Sequence, residues 1–495
     1  MNERNLAGLA ATVLQPGFVG TTPPDWVCRW LADGLGAVVL FARNVVDPEQ
    51  VAALTATLRA ERPDVLVAID EEAGDVTRIE SGRGSSRPGN LALGAVDDPA
   101  LTEEVARDLG GELADLGVTL NYAPDADVNI NPANPVIGVR SFGADPQLVA
   151  RHTAAWVRGL QSAGVAACAK HFPGHGDTRV DSHHDLPRIA GSRARLDAGE
   201  LVPFRAAVAA GVQAVMTGHL LVPALDPDLP ATLSPRILGD LLREELGFSG
   251  VVVTDAVEMR AVADRYGFAG TAVRALAAGA DAICVGGERA DEAAARYLRD
   301  AIVAAVLAGE LPEERLAEAA KRVGQLAEWS TAARTGRPAP APRPADGSPV
   351  GLAAARRAVR VSGDPAGRLP LTAAAHVVEF APPHNIAIGA ETPWGLGAPL
   401  ADLLPGTTTV RLTEADLPAD PTHGAAGRPL VLVVRDLHRH PWMRAAVDRA
   451  LTTRPDAVVV ELGLPELVTG RLHLATHGAT RAAARAAAEL LAGAR

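Results

Sequence analysis

Eight short apolar runs, at residues 11–14, 38–41, 65–69, 118–122, 165–169, 214–217, 251–254 and 282–285, punctuate the first 330 residues of this chain. Most are continuous rather than alternating, the pattern of parallel strands buried on both faces. Between them lie stretches of helical period, among them 48–60, 145–163, 234–246 and 267–278. Eight strand–helix units in succession predict an α/β fold of the (β/α)8 TIM-barrel type. The alternative is a doubly wound open sheet, but no Gly-x-Gly-x-x-Gly follows the first run.

At 495 residues the chain exceeds one ordinary core, and two domains are expected. Residues 331–349 include Arg-Pro-Ala-Pro-Ala-Pro-Arg-Pro, the composition of an extended linker. Beyond it the alternation resumes, with strands at 376–381, 407–412, 430–434 and 457–461 and helices near 442–452 and 480–491. The expected organisation is therefore a catalytic barrel over 1–330, a linker over 331–349 and a smaller α/β sandwich over 350–495. A net charge of −12 argues against nucleic acid, whose phosphates demand a basic face. Cys28, Cys168 and Cys284 are too widely spaced for a disulfide framework or a zinc pattern, which fits a reducing compartment, and Cys168 and Cys284, in predicted strands, read as buried, inert thiols. The apolar stretch 6–14 lacks a basic leader, and no run of about 18 apolar residues follows. A cytoplasmic protein without a membrane partner is expected.

A barrel places its chemistry at the carboxyl ends of its strands. Here those ends carry Asp70, Asp127, Lys170-His171, Gly218-His219 and Asp255, and the loop after the fourth run carries Arg140. Any one of them could cap a helix, but six together mark a site. Lys170 is one of only two lysines in a chain that otherwise uses arginine, which suggests that a compact ammonium is needed there. Asp255 closes the apolar run 251–254, where a carboxylate is costly unless chemistry uses it as metal ligand, base or nucleophile. The segment 170–186 adds the pair Asp181-x-His183, in which a carboxylate can hold one ring nitrogen of a proton-transferring imidazole. A zinc site from His171, His175, His183, His184 and Asp185 is the competing reading. With Lys170 and Asp255 at the same rim, no metal or other cofactor is expected.

Taken together these motifs closely resemble glycoside hydrolase family 3, within it the bacterial β-N-acetylhexosaminidases. The most specific piece is Lys170-His-Phe-Pro-Gly-His-Gly-Asp-Thr-x-x-Asp-Ser-His183. Pro230-Ala-Thr-Leu-Ser234, Glu245-Leu-Gly-Phe-x-Gly-Val-Val-Val-Thr-Asp255 and Asn134-Pro-Val-Ile-Gly-x-Arg-Ser-Phe-Gly143 support it. The resemblance implies that Asp255 is a nucleophile forming a glycosyl-enzyme and that His183, assisted by Asp181, is the general acid/base. It implies that Asp70, Arg78, Arg140, Lys170 and His171 hold the hydroxyls of the sugar. The implied activity is retaining, exo-acting release of terminal non-reducing β-linked N-acetylglucosamine, with peptidoglycan fragments as the source and a carbohydrate as the only partner. Two positions depart from the family's Asp-x-Glu-Gly-Gly-Arg-Val-x-Arg: Ala73 and Asp75 stand for Gly and Arg, while Asp70 and Arg78 remain. Rival readings are a β-glucosidase of the same family with Glu391 or Glu461 as acid/base, a phosphorylase, a Schiff-base lyase on Lys170, and a non-catalytic sugar-binding module. The oligomeric state is left open.

Overall fold

The computed structural model describes residues 3–178, 186–337, 343–383, 387–389, 392–425 and 427–494. By density of contacts the chain forms two compact units, one of residues 1–71, 102–135 and 144–342, the other of residues 72–101, 136–143 and 343–495.

Among the described residues the first unit holds eight parallel strands: β1 (Leu14–Pro16), β2 (Ala37–Leu40), β3 (Leu66–Ile69), β4 (Leu120–Asn121), β5 (Ala166–Phe172), β6 (Ala214–Thr217), β7 (Val251–Thr254) and β8 (Ile283–Val285). β2 to β7 pair in sequence order, and β1 pairs with β8. Parallel bridges from Gly17 to Val39 and from Val253 to Ala282 close the two gaps, so the ring is complete. The fold is the TIM barrel that the eight runs predict.

Strand alternation explains its interior. Ala37, Val39, Leu66, Ala68, Leu120, Tyr122, Ala166, Cys168, Ala214, Met216, Val251, Val253, Ala282 and Cys284 form one cluster, joined by Val323, Leu326 and Ala327 of the helix Glu313–Arg334. Many of these inward residues are small, as a narrow ring requires. Residues of the other parity, such as Val38, Val67, Val215 and Val252, are equally buried, which is why the strands read as unbroken apolar runs. The first run is the exception: residues 11 and 12 end the helix Glu3–Thr12, and only Leu14 enters a strand. Alanine and leucine suit a helix as well as a strand, so composition could not place that boundary.

The second unit contains a six-stranded sheet of β9 (Arg360–Gly363), β10 (His376–Phe380), β11 (Thr408–Leu412), β12 (Leu430–Val434), β13 (Val458–Glu461) and β14 (Leu472–Ala475), in the order β11-β10-β12-β13-β14-β9. All pairs are parallel except β14 with β9. The helices Gly397–Leu403 and Arg481–Ala492 cover one face and Pro441–Thr453 the other, giving two apolar layers about the sheet. β9 and β14 escape sequence reading for opposite reasons. β9 is an exposed edge strand with no apolar run, and β14 is a four-residue strand interrupted by His473. The helix Glu313–Arg334 also carries four residues into the stretch expected as linker.

Candidate active site

The carboxyl ends of β3, β5 and β7 set four polar side chains of the first unit. Asp70 follows β3, Lys170 and His171 lie within β5, and Asp255 follows β7. The Lys170 ammonium, almost fully buried, pairs with the half-buried Asp70 carboxylate. A buried ammonium is costly unless so answered, and the pairing fixes both side chains. Below them the barrel floor is apolar and thiol-lined. Burial pushes the Cys168 and Cys284 thiols up, as it does the Tyr122 hydroxyl, which bonds Gln15 Oε1 at 2.5 Å. Thiols so placed are inert, in line with the reading of Cys168 and Cys284 as core residues.

Asp127 organises the turn after β5. Its Oδ2 lies 2.7 Å from His171 Nδ1, and its Oδ1 accepts the backbone N–H groups of His171 at 3.2 Å and His175 at 2.6 Å. Burial by itself raises this carboxyl, but the attraction and hydrogen bonds of His171 and His175 outweigh it and hold it at about 2. An ionised carboxylate can only accept, so His171 Nδ1 carries the proton. Asp127 is therefore no helix cap. Asp125, Asp127 and His171 do bring three ligand-type atoms within 4.8 Å of one another. Three N–H donors already engage Asp127, which makes the cluster a hydrogen-bonded support for the imidazole.

The turn 171–178 is also bolted from outside. Asn134 Nδ2 donates to the carbonyls of His175 at 2.9 Å and Gly176 at 3.2 Å, and Thr178 Oγ1 stands 2.8 Å from His175 Nδ1. Gly176 lies so close to the β4–β5 loop that a Cβ there would stand 1.8 Å from the Val128 carbonyl oxygen. Asp181 and His183, the expected acid/base pair, lie outside the described residues, as do His184, Asp185 and Glu391.

Asp255 is seated by the neighbouring strands. Its N–H donates to the Thr217 carbonyl at 3.1 Å, and its Oδ1 accepts the Ala256 N–H at 2.8 Å. The next helix, Arg260–Tyr266, has Met259 at its N-cap, so Asp255 does not cap it. His219, fully buried, lies 3.0 Å by Nε2 from the Ala256 carbonyl and 2.9 Å by Nδ1 from Thr232 Oγ1. The carbonyl can only accept, so Nε2 carries the proton, while the Thr232 hydroxyl donates to the Gly218 carbonyl at 3.0 Å. His219 thus holds the backbone next to Asp255 rather than capping a helix.

Arg78 and Arg140 belong to the second unit. There Arg140 forms a bidentate pair with Glu72, at 2.9 and 2.7 Å, and its Nη1 donates to the Val136 carbonyl at 3.0 Å. Arg78 Nη2 donates to the Ala387 carbonyl at 3.1 Å. The two departures from the family motif have physical consequences here. Ala73 adopts φ 57°, a left-handed conformation that a glycine would enter without strain. Asp75 is buried, accepting from Arg435 Nη2 at 2.6 Å and from the Ala479 N–H at 2.8 Å. Glu461, one of the rival acid/base candidates, accepts backbone N–H groups of Asp436, Leu437 and Gly463 and is buried, so it serves as a loop cap.

Sequence reading did not find Glu72, Asn134 or Thr178. Glu72 stands beside Asp70 in the Asp-Glu-Glu triplet, and Asn134 and Thr178 fall within the quoted motifs, but nothing local tells a substrate ligand from a support.

Residues 21–326, more than half of the chain, match the family described as "Glycosyl hydrolase family 3 N terminal domain". A "Beta-hexosaminidase A" of Pseudoalteromonas piscicida is 38% identical over 282 residues, 53% of this chain and 47% of that protein, so the chain matches about half of that relative's length. A "Beta-hexosaminidase" of Stenotrophomonas maltophilia (strain K279a) is 40% identical over 277 residues, 54% of this chain and 82% of that protein. A solved structure, a "glycoside hydrolase family 3 beta-N-acetylglucosaminidase" from Paenibacillus sp. str. FPU-7, superposes with a TM-score of 0.87 at 35% identity, covering 99% of this chain and 96% of that one. With the barrel, the strand-end groups and the family match in agreement, the chain belongs to glycosyl hydrolase family 3.

Proposed function

We propose that the protein is a retaining, exo-acting β-N-acetylglucosaminidase that removes terminal non-reducing β-linked N-acetylglucosamine, with cytoplasmic peptidoglycan fragments as its source of substrate. The observation that carries this reading is the set of groups at the carboxyl ends of β3, β5 and β7: the Asp70–Lys170 pair, His171 held by Asp127, and Asp255. The substrate class rests on similarity to the Paenibacillus enzyme along nearly the whole chain. We assign the catalytic domain to residues 1–330 and the sandwich to 350–495.

In this mechanism Asp255 closes on the anomeric carbon as the ring becomes oxocarbenium-like, and the glycosidic bond breaks. His183, with Asp181 on its other ring nitrogen, protonates the departing oxygen. It then takes the proton of the incoming water, which releases the sugar with net retention. A histidine replaces the second carboxylate of the usual pair. Positioned proton transfer of this kind contributes roughly 10²–10⁴-fold. Asp70, Arg78, Arg140, Lys170 and His171 hold the sugar hydroxyls. Because the Asp70–Lys170 charges are already paired, they order the site without adding net charge beside the developing cation.

Turnover of 4-nitrophenyl N-acetyl-β-glucosaminide, followed with and without inorganic phosphate, tests this reading. The expected result is hydrolysis at a rate independent of phosphate, with the β-anomer as first product by NMR. A rate requiring phosphate would make the protein a phosphorylase, and preference for the β-glucoside would move it to the glucosidase reading.

A further inference from the structure

Glu200 is an anomaly that the mechanism does not use. It precedes the helix Leu201–Ala209, its side chain is fully buried, and neither carboxyl oxygen has a hydrogen-bond partner. Burying an unpaired carboxyl costs stability, and burying it ionised costs far more. A residue in that position has to repay the cost elsewhere.

Its surroundings show where. Gly174, at φ 127°, lies directly on the stem of Glu200: a Cβ on Gly174 would stand 2.7 Å from Glu200 Cβ and 3.1 Å from its Cγ. The charged groups near it are Arg195, of the helix Arg193–Ala198, and Asp177, of the turn itself. Arg195 Nη2 is bound to Asp177 Oδ2 at 2.5 Å, while Glu200 Oε1 stands 4.0 Å from the same nitrogen. Asp177 thus holds the guanidinium, and Glu200 stays outside hydrogen-bond reach. Next to it, Phe204 stacks edge-on against Phe172 at 5.2 Å, so this face of the helix braces both Phe172 and Gly174. Burial, the largest influence on Glu200, raises its pKa, ahead of the opposing pull of its backbone and Arg195.

We infer that Glu200 is a positioning residue whose buried side chain acts as a wedge beneath Gly174, fixing the turn 173–178 that precedes Asp181-x-His183 in the sequence. It touches no reacting atom. The inference rests on the reading of His183 as general acid, because the turn's geometry matters most when the leaving group needs a proton.

The test compares Glu200→Ala, Glu200→Gln and Glu200→Asp with the wild type and with His183→Ala. Each is assayed on N-acetyl-β-glucosaminides with a nitrophenol and with a simple alkyl leaving group. Glu200→Ala should lose about 10–100-fold more kcat on the alkyl glycoside than on the nitrophenyl one, as a misplaced acid would. Glu200→Gln, neutral and of the same shape, should restore the alkyl rate to within about threefold of wild type. Glu200→Asp, which keeps a carboxyl but is one methylene shorter, should not. Equal losses on both substrates, or a Gln variant as impaired as Asp, would overturn the inference. Should Glu200→Ala fail to fold, the contrast between Gln and Asp decides on the same criterion. His183→Ala separates the two readings. If it lacks the leaving-group split, the assignment of the acid fails; if it shows the split while the Glu200 variants do not, only the wedge fails.

Discussion

Among single residues, Asp127 shows how a buried charge can be kept. Three N–H donors answer it, from two histidines that it orients in return. Its native pKa of about 2 lies below the ordinary 3.8. The sign follows by linkage: the stabilisation is fully present above the ordinary value and is lost as pH falls through the native one. Asp127→Asn should therefore cost roughly 3 kcal/mol at pH 7, the scale of breaking a buried pair. The deficit should shrink near pH 2, and urea unfolding at the two pH values would measure it. An Asn variant as stable as wild type at pH 7 would remove Asp127 from this role. Ala73 makes the opposite prediction. At φ 57° a methyl group is strained, so Ala73→Gly should stabilise the protein by about 0.5–1 kcal/mol, read as a raised unfolding midpoint with activity retained.

At the scale of elements, the turn after β5 is where most of the chemistry and most of the support coincide. Gly176 permits an approach to the Val128 carbonyl that no side chain allows. Gly176→Ala should displace the turn and lower kcat on an alkyl glycoside by about 10²-fold, the scale of a misplaced catalytic group. The far-ultraviolet dichroism should stay unchanged, because the barrel strands lie outside the turn. The strands and their charged ends were legible because parallel strands leave unbroken apolar runs that polar groups terminate. Pairings were not legible: Asp70 and Lys170 meet across 100 residues, and Asp127 and His171 across 44. Strand β9 leaves no signal because an exposed edge needs no apolar run, and nothing in the sequence marks Glu200 as buried.

For the whole molecule, the barrel supplies a rim and family membership supplies its chemical meaning. The first unit carries Asp70, Lys170, His171 and Asp255, and the second carries Arg78 and Arg140 in paired settings. The proposed reaction needs one carboxylate to bond to the sugar, and retention depends on it. Incubation with an activated, slowly hydrolysed 5-fluoro β-N-acetylglucosaminyl donor, followed by mass spectrometry of proteolytic peptides, tests that step most directly. The glycosyl-enzyme should be found on Asp255, in the peptide spanning Val251–Thr254 and the residues after it. Rapid turnover that inverts the anomeric centre, or a sugar attached to any other residue, would contradict the mechanism.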